Sequence, residues 1–111
     1  MVEKLKETRP WGEWEVLNVG EGYKVKKLTI LPGRAISKQY HLHRSETWAI
    51  IQGKGLAIVD DAHMEVGVGD AFVVPVKGVH KVTCLSEVPL IAIEVQQGDI
   101  TEEHDIVRVA K

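Results

Sequence analysis

An all-β barrel is the fold this sequence predicts, and three observations predict it. Glycine, proline and paired aspartates punctuate the chain at short, regular intervals, from Gly20 and Gly22 through Pro32-Gly33, Gly53 and Asp60-Asp61 to Pro89 and Gly98. The runs between them are rich in β-branched and aromatic residues, at the spacing of short strands joined by turns. No stretch sustains a helical period long enough to compete.

Taken in order, strands are expected at 13–19 and 23–31, joined across Gly20 and Gly22. The next, 35–43, starts after the Pro32-Gly33 turn, and 47–51 is ended by Gly53. Strand 56–59 stops at Asp60-Asp61, 71–74 lies between Gly69 and Pro75, 80–85 follows Gly78, and 90–96 lies between Pro89 and Gly98. Beyond it the tail is expected to be short and irregular. A single helical turn fits 101–104, where Thr101 precedes Glu102 and Glu103 in the manner of an N-cap. Leu90-Ile91-Ala92-Ile93 is apolar on both faces, so one face should meet a second sheet or subunit. In a chain this short, that predicts a homodimer.

Composition narrows the function classes. At 111 residues the chain is read as one domain, 1–111, with no repeat or linker. A formal charge of -2 argues against a nucleic-acid partner bound by neutralising phosphates. Cys84 is the single cysteine, which excludes an internal disulfide or a cysteine-based zinc site and fits a reducing compartment. The opening MVEKLKETRPWGEWEV is charged and lacks an apolar core, so no signal peptide is expected. No apolar run approaches the ~18 residues that cross a bilayer. A cytoplasmic protein without a membrane partner is the expectation.

The chemistry concentrates between Gly33 and Gly53, GRAISKQYHLHRSETWAIIQG. Gln39, His41 and His43 stand at alternate positions, and alternate residues of a strand share a face. Glu46 follows, and His80 lies downstream after Gly78. Imidazole, amide oxygen and carboxylate converging on one point make a ligand set for a divalent metal. The plainer reading is a strand whose wet face is rich in histidine. Having no thiolate, the set suits Zn, Mn, Fe, Ni or Co. Glu94 shares parity with Gln96 in an otherwise apolar strand; facing a barrel interior, its pKa would rise and suit acid–base work. Its alternative is a pairing with a lysine at the rim. Trp48 reads as core rather than as a sugar platform, Trp11 and Trp14 as anchors of the N-terminal strand, and His63 and His104 as surface residues.

Two segments then form a pattern. Gly33, Gln39, His41, Glu46 and Gly53 keep one fixed spacing, and Gly69, Pro75 and His80 a second, with Lys54 to Val68 between them. The first motif spans 33–53 and the second 69–84. They resemble the two signature motifs of the cupin superfamily, which implies a small double-stranded β-helix, or jelly-roll barrel. Arg9-Pro10-Trp11-Gly12, Leu31-Pro32-Gly33, the run Ser37 to Trp48, Ile93-Glu94-Val95-Gln96 and Asp105-Ile106-Val107-Arg108 carry the resemblance further. They are similar to type II mannose-6-phosphate isomerases, whose cupin is often fused behind a mannose-1-phosphate guanylyltransferase.

That resemblance implies Gln39, His41, Glu46 and His80 as metal ligands, with zinc favoured. His43 would replace Gln39 as a ligand, transfer a proton beside the metal, or simply fill the barrel mouth. The implied reaction is mannose 6-phosphate to fructose 6-phosphate, with His43 or Glu94 moving the proton. A guanidinium matches phosphate oxygens in a two-pronged way. Arg44 is the expected anchor for the sugar phosphate, with Lys26, Lys27 and Arg108 as weaker options. The competing expectation is a non-catalytic metal-binding cupin that holds a sugar or carboxylate, or serves a separate enzyme. A third is dioxygenation or decarboxylation on the same metal site.

Overall fold

Every regular element in the computed structural model, which describes residues 5–98 and 106–109, is a β-strand. They are β1 (Lys6–Arg9), β2 (Gly12–Gly20), β3 (Tyr23–Ile30), β4 (Gln39–His41), β5 (Arg44–Gln52) and β6 (Lys54–Val59). β7 (Ala62–Gly67), β8 (Ala71–Val74), β9 (His80–Cys84), β10 (Leu90–Gly98) and β11 (Ile106–Arg108) complete the set. A six-stranded sheet, β1-β2-β3-β10-β5-β8, faces a five-stranded one, β11-β4-β9-β6-β7, and all pairings are antiparallel. This is the expected jelly-roll barrel. No described helix is long and apolar enough to cross a membrane.

The register arranges the interior in two storeys. Buried residues alternate along β3 (Lys24, Lys26, Leu28, Ile30), β5 (Arg44, Glu46, Trp48, Ile50) and β10 (Leu90, Ala92, Glu94, Gln96). Pairing sets Leu90 opposite Ile30 and Ala92 opposite Leu28, but Glu94 opposite Lys26 and Gln96 opposite Lys24. On its other edge β10 sets Ala92 against Ile50 and Gln96 against Glu46. Three adjacent strands therefore change from apolar to charged at the same level. The lower storey continues through Ile36, Ala57, Val59, Val82 and Cys84 of the facing sheet. Each large aliphatic side chain there contributes about 1.5–3 kcal/mol of burial. Charged residues are rarely this buried unless partnered, so the upper storey marks the site.

The strand pattern departs from expectation in four places. β1 and β7 arise where none was expected, because edge strands of charged or half-exposed residues carry little alternation. The strand at 35–43 is cut to Gln39–His41, preceded only by an isolated Ala35–Thr83 bridge. Instead of an irregular tail, Ile106–Arg108 pairs with β4. The helical turn at 101–104, with His104, lies outside the described residues.

Candidate metal centre

β4, β5 and β9 deliver His41, Glu46 and His80 to one point inside the barrel, where their ligating atoms all lie within 4.8 Å of one another. All three are buried. Glu46 Oε2 stands 2.8 Å from His41 Nε2, and Oε1 stands 3.5 Å from His80 Nε2. Two nitrogen or oxygen ligands at about 2.0–2.1 Å from a shared zinc lie roughly 3–3.5 Å apart, so the spacing fits an ion. The His80 tautomer fits as well. Its Nδ1–H donates to the Gly78 carbonyl at 3.1 Å, which directs the Nε2 lone pair to the site. Gln39 is half-buried, pairs in register with His80 and lines the same cavity.

Arg44 is inside the barrel rather than at its mouth. Its Nε donates to Glu46 Oε2 at 3.1 Å, Nη2 makes an ion pair with the same oxygen at 3.0 Å, and Nη2 lies 3.3 Å from His41 Nε2. With a proton on Nε2, His41 gives it to Glu46; without one, Nε2 accepts from Arg44. His41 Nε2 is also the atom that would hold a metal ion, with Glu46 and His80 as the other ligands. Trp48 closes the other side, its Nε1–H donating to Glu46 Oε1 at 3.0 Å.

Burial alone would push the Glu46 carboxyl up, but hydrogen bonds with His41, His80 and Glu94 outweigh it and hold the group well below the usual carboxylate range. Glu94 moves the opposite way. Burial raises it well above that range, and the neighbouring Glu46 charge adds to the rise. The two carboxyls of the upper storey are thus displaced in opposite directions, Glu46 toward its ionised form and Glu94 toward its protonated one. Gln96 Nε2 donates to Glu94 Oε1 at 2.7 Å. Lys26 stands over the Trp14 ring, its Nζ 4.2 Å from the centroid.

A pH dependence follows from Glu94. Its folded pKa is raised, so its contribution is full below the unfolded value and is lost as pH rises toward the folded one. Glu94→Gln keeps the shape of the neutral acid and removes that loss. The variant should be at least as stable as the parent at pH 7. Its advantage should grow from about pH 4.3 upward by at most ~1.4 kcal/mol per pH unit until Glu94 ionises. Urea midpoints of both proteins at pH 4, 6 and 8 check this; parallel curves would count against a protonated Glu94.

The remaining expected site residues are distributed as follows. The chain bends at Leu42–His43 after β4 ends, leaving His43 exposed. The expectation that it shares the face of His41 is corrected for that reason. Lys26 lines the cavity from β3, and Arg108 lines it from β11 at the rim. Sequence reasoning missed Lys24, which is fully buried, and the unpartnered groups of the cavity wall. Among the described residues neither Trp14 Nε1–H nor Gln96 Oε1 has a hydrogen-bond partner. The parity of Lys24 and Lys26 with Leu28 and Ile30 was the available signal.

A jelly-roll barrel with two histidines and a glutamate meeting inside it defines a cupin. The fold agrees with solved structures: oxalate decarboxylase from Lactobacillus farciminis (TM-score 0.82, 18% identity, 94% of this chain and 33% of that one) and KdgF from Halomonas sp. (TM-score 0.76, 14% identity, 86% of each). Residues 2–111 match the mannose-6-phosphate isomerase C-terminal family, and the chain belongs to it. It is 34% identical over 102 residues to a mannose-1-phosphate guanylyltransferase of Escherichia coli K12, covering 92% of this chain and 21% of the relative. Alginate biosynthesis protein AlgA of Pseudomonas aeruginosa is 34% identical over 101 residues, covering 91% and 21%. The chain thus spans about a fifth of the length of the curated relatives it matches. This corrects the expectation of a mannose 6-phosphate to fructose 6-phosphate isomerase. The relatives bear the names of a guanylyltransferase and an alginate biosynthesis protein, of which this cupin is only a part.

Proposed function

We propose that this chain is a metal-holding cupin that binds a phosphorylated mannose and serves a mannose-1-phosphate nucleotidyltransferase as its sugar-phosphate module. The observation that carries it is the cavity wall. His41, Glu46 and His80 share it with a buried donor, Trp14 Nε1–H, and a buried acceptor, Gln96 Oε1, that have no hydrogen-bond partner among the described residues. Buried polar groups are normally paired, and a polyhydroxyl ligand supplies both kinds of partner. Zinc is the proposed ion, and when bound it would polarise a sugar oxygen. Phosphorylated sugars stay in the compartment that makes them, so a cytoplasmic location belongs to the proposal. So does a homodimer. On the outer face of the six-stranded sheet, Ile51 and Val73 are exposed beside half-buried Ile91, Ile93 and Val95, an apolar face suited to a second copy.

The test is metal content followed by ligand binding. Zinc-loaded protein should hold one ion per chain. His41→Ala and His80→Ala should each weaken zinc binding by more than about tenfold, the loss typical of even an outer-sphere partner. Calorimetric titration with mannose 6-phosphate should then show binding that weakens after chelation. Affinity unchanged by EDTA would sink the proposal.

A further inference from the structure

The cavity around the metal ligands measures about 50 Å³, enough to admit one end of a sugar but not to enclose a whole sugar phosphate. A second cleft of about 470 Å³ shares Arg9, Trp11, Ser37 and Arg108 with it and adds Arg34. That volume lies within the roughly 300–1,000 Å³ of small-molecule sites. Three guanidinium groups surround the cleft, and no acidic residue among the described ones lines it. Arg9 is paired with Glu7 at 2.7 Å, whereas no described side chain pairs with Arg34 or Arg108. Like charges around a concave surface repel one another and focus a positive potential into it. An anion relieves that repulsion.

The arginines are also held in place from three directions. Leu31–Arg34 form a type II turn: Arg34 N–H donates to the Leu31 carbonyl at 2.9 Å, with Pro32 second and Gly33 third at φ 75°. Cys84 N–H donates to the Arg34 carbonyl at 2.9 Å, which fastens the turn to β9. Leu31 N–H donates to the Trp11 carbonyl at 2.8 Å, tying the same turn to the β1–β2 connection just beyond Arg9. Arg108 is set by its pairing with Gln39 across β11 and β4. The cations are therefore carried on fixed backbone rather than on a wandering loop, the condition under which a charged site binds without first being ordered.

We infer that this cleft is an anion seat for the phosphoryl group of a sugar phosphate, with Arg34 and Arg108 as its principal donors. The sugar then passes Trp11 and Ser37 and presents its far end to the metal cavity. The assignment rests on the sugar-phosphate reading above, and it moves the phosphate from Arg44, which is occupied by Glu46 and His41, to the outer cleft.

Calorimetric titrations of the full zinc-loaded chain with inorganic phosphate and with mannose 6-phosphate test it. Arg34→Gln and Arg108→Gln should each weaken both ligands by about tenfold, one charge-assisted hydrogen bond apiece. Lys81→Gln, an equal change of charge away from the cleft, should leave both affinities within about twofold. Arginine variants that bind mannose 6-phosphate like the parent overturn the seat while leaving the sugar-phosphate reading intact. A loss no larger than that of Lys81→Gln overturns it too, because only overall charge is then being read. Inorganic phosphate bound through the arginines as tightly as mannose 6-phosphate supports the seat and removes the sugar from the reading.

Discussion

Replacing Glu46 with alanine is expected to cost about 3–5 kcal/mol of folding stability and to abolish metal uptake. The energy comes from what the substitution leaves behind. Arg44 is 2% exposed, donates to Glu46 Oε2 through Nε and makes an ion pair with it through Nη2. Without that carboxylate its charge stays buried with its direct partner gone, and only Glu94, ionised against its own burial, could answer it. Trp48 Nε1–H loses its acceptor as well. Glu46→Gln separates the contributions, since an amide oxygen still accepts from Trp48 while the charge is gone. It should be milder than alanine, because the amide keeps that acceptor and fills the space, while in both variants Glu94 can ionise and answer Arg44. In the combined Glu46→Ala, Glu94→Gln protein that rescue is removed, so the two effects should exceed their sum. Urea unfolding of the four proteins checks this, and a cost below 1 kcal/mol for Glu46→Ala would mean that Arg44 finds another partner.

The second large effect is expected at Trp48. Its ring is 1% exposed, stacks on Phe72 at 5.6 Å with an interplanar angle of 20°, and meets His80 edge-on at 6.5 Å. Trp48→Ala should cost about 3–5 kcal/mol through lost burial and the remaining cavity. Trp48→Phe keeps most of the packing but removes the hydrogen bond to a charged acceptor, worth about 1.5–3 kcal/mol. The two variants thus separate the storeys that Trp48 joins. Alanine should lower the urea midpoint much further than phenylalanine does. Equal midpoints would show that the hydrogen bond, not the packing, dominates there.

How far the sequence was legible depends on which side of the sheet a residue addresses. Gln39, His41, Glu46 and His80 were readable because strand parity and motif spacing act over short distances, and all four line one cavity. His43 was misjudged because parity holds only while a strand lasts, and β4 stops at His41. β11 was missed because three residues carry too short an alternation, and its partner is 65 or more positions away in the chain. The arginine cleft was hidden for a related reason. Arg9, Arg34 and Arg108 come together only through the β1–β2 hairpin, the turn after β3 and the β11 pairing. Arg44, by contrast, sits beside the metal motif in sequence and attracted the phosphate assignment by adjacency alone.

The two-storey interior has a consequence for how ligands arrive. In the upper storey Lys24, Lys26 and Arg44 are buried together with the carboxyls of Glu46 and Glu94, and burial pushes Glu94 toward its protonated form. Among the described residues, these cations raise the potential inside the barrel before any divalent ion enters. An incoming cation meets repulsion that an anion in the adjoining cleft would offset, and an anion is attracted more strongly once the cation is present. Binding free energies are reciprocal, so if both bind as proposed, each ligand would raise the affinity for the other by the same factor. Ion and phosphoryl group would in that sense be co-ligands. Neither would be measured at its full affinity alone.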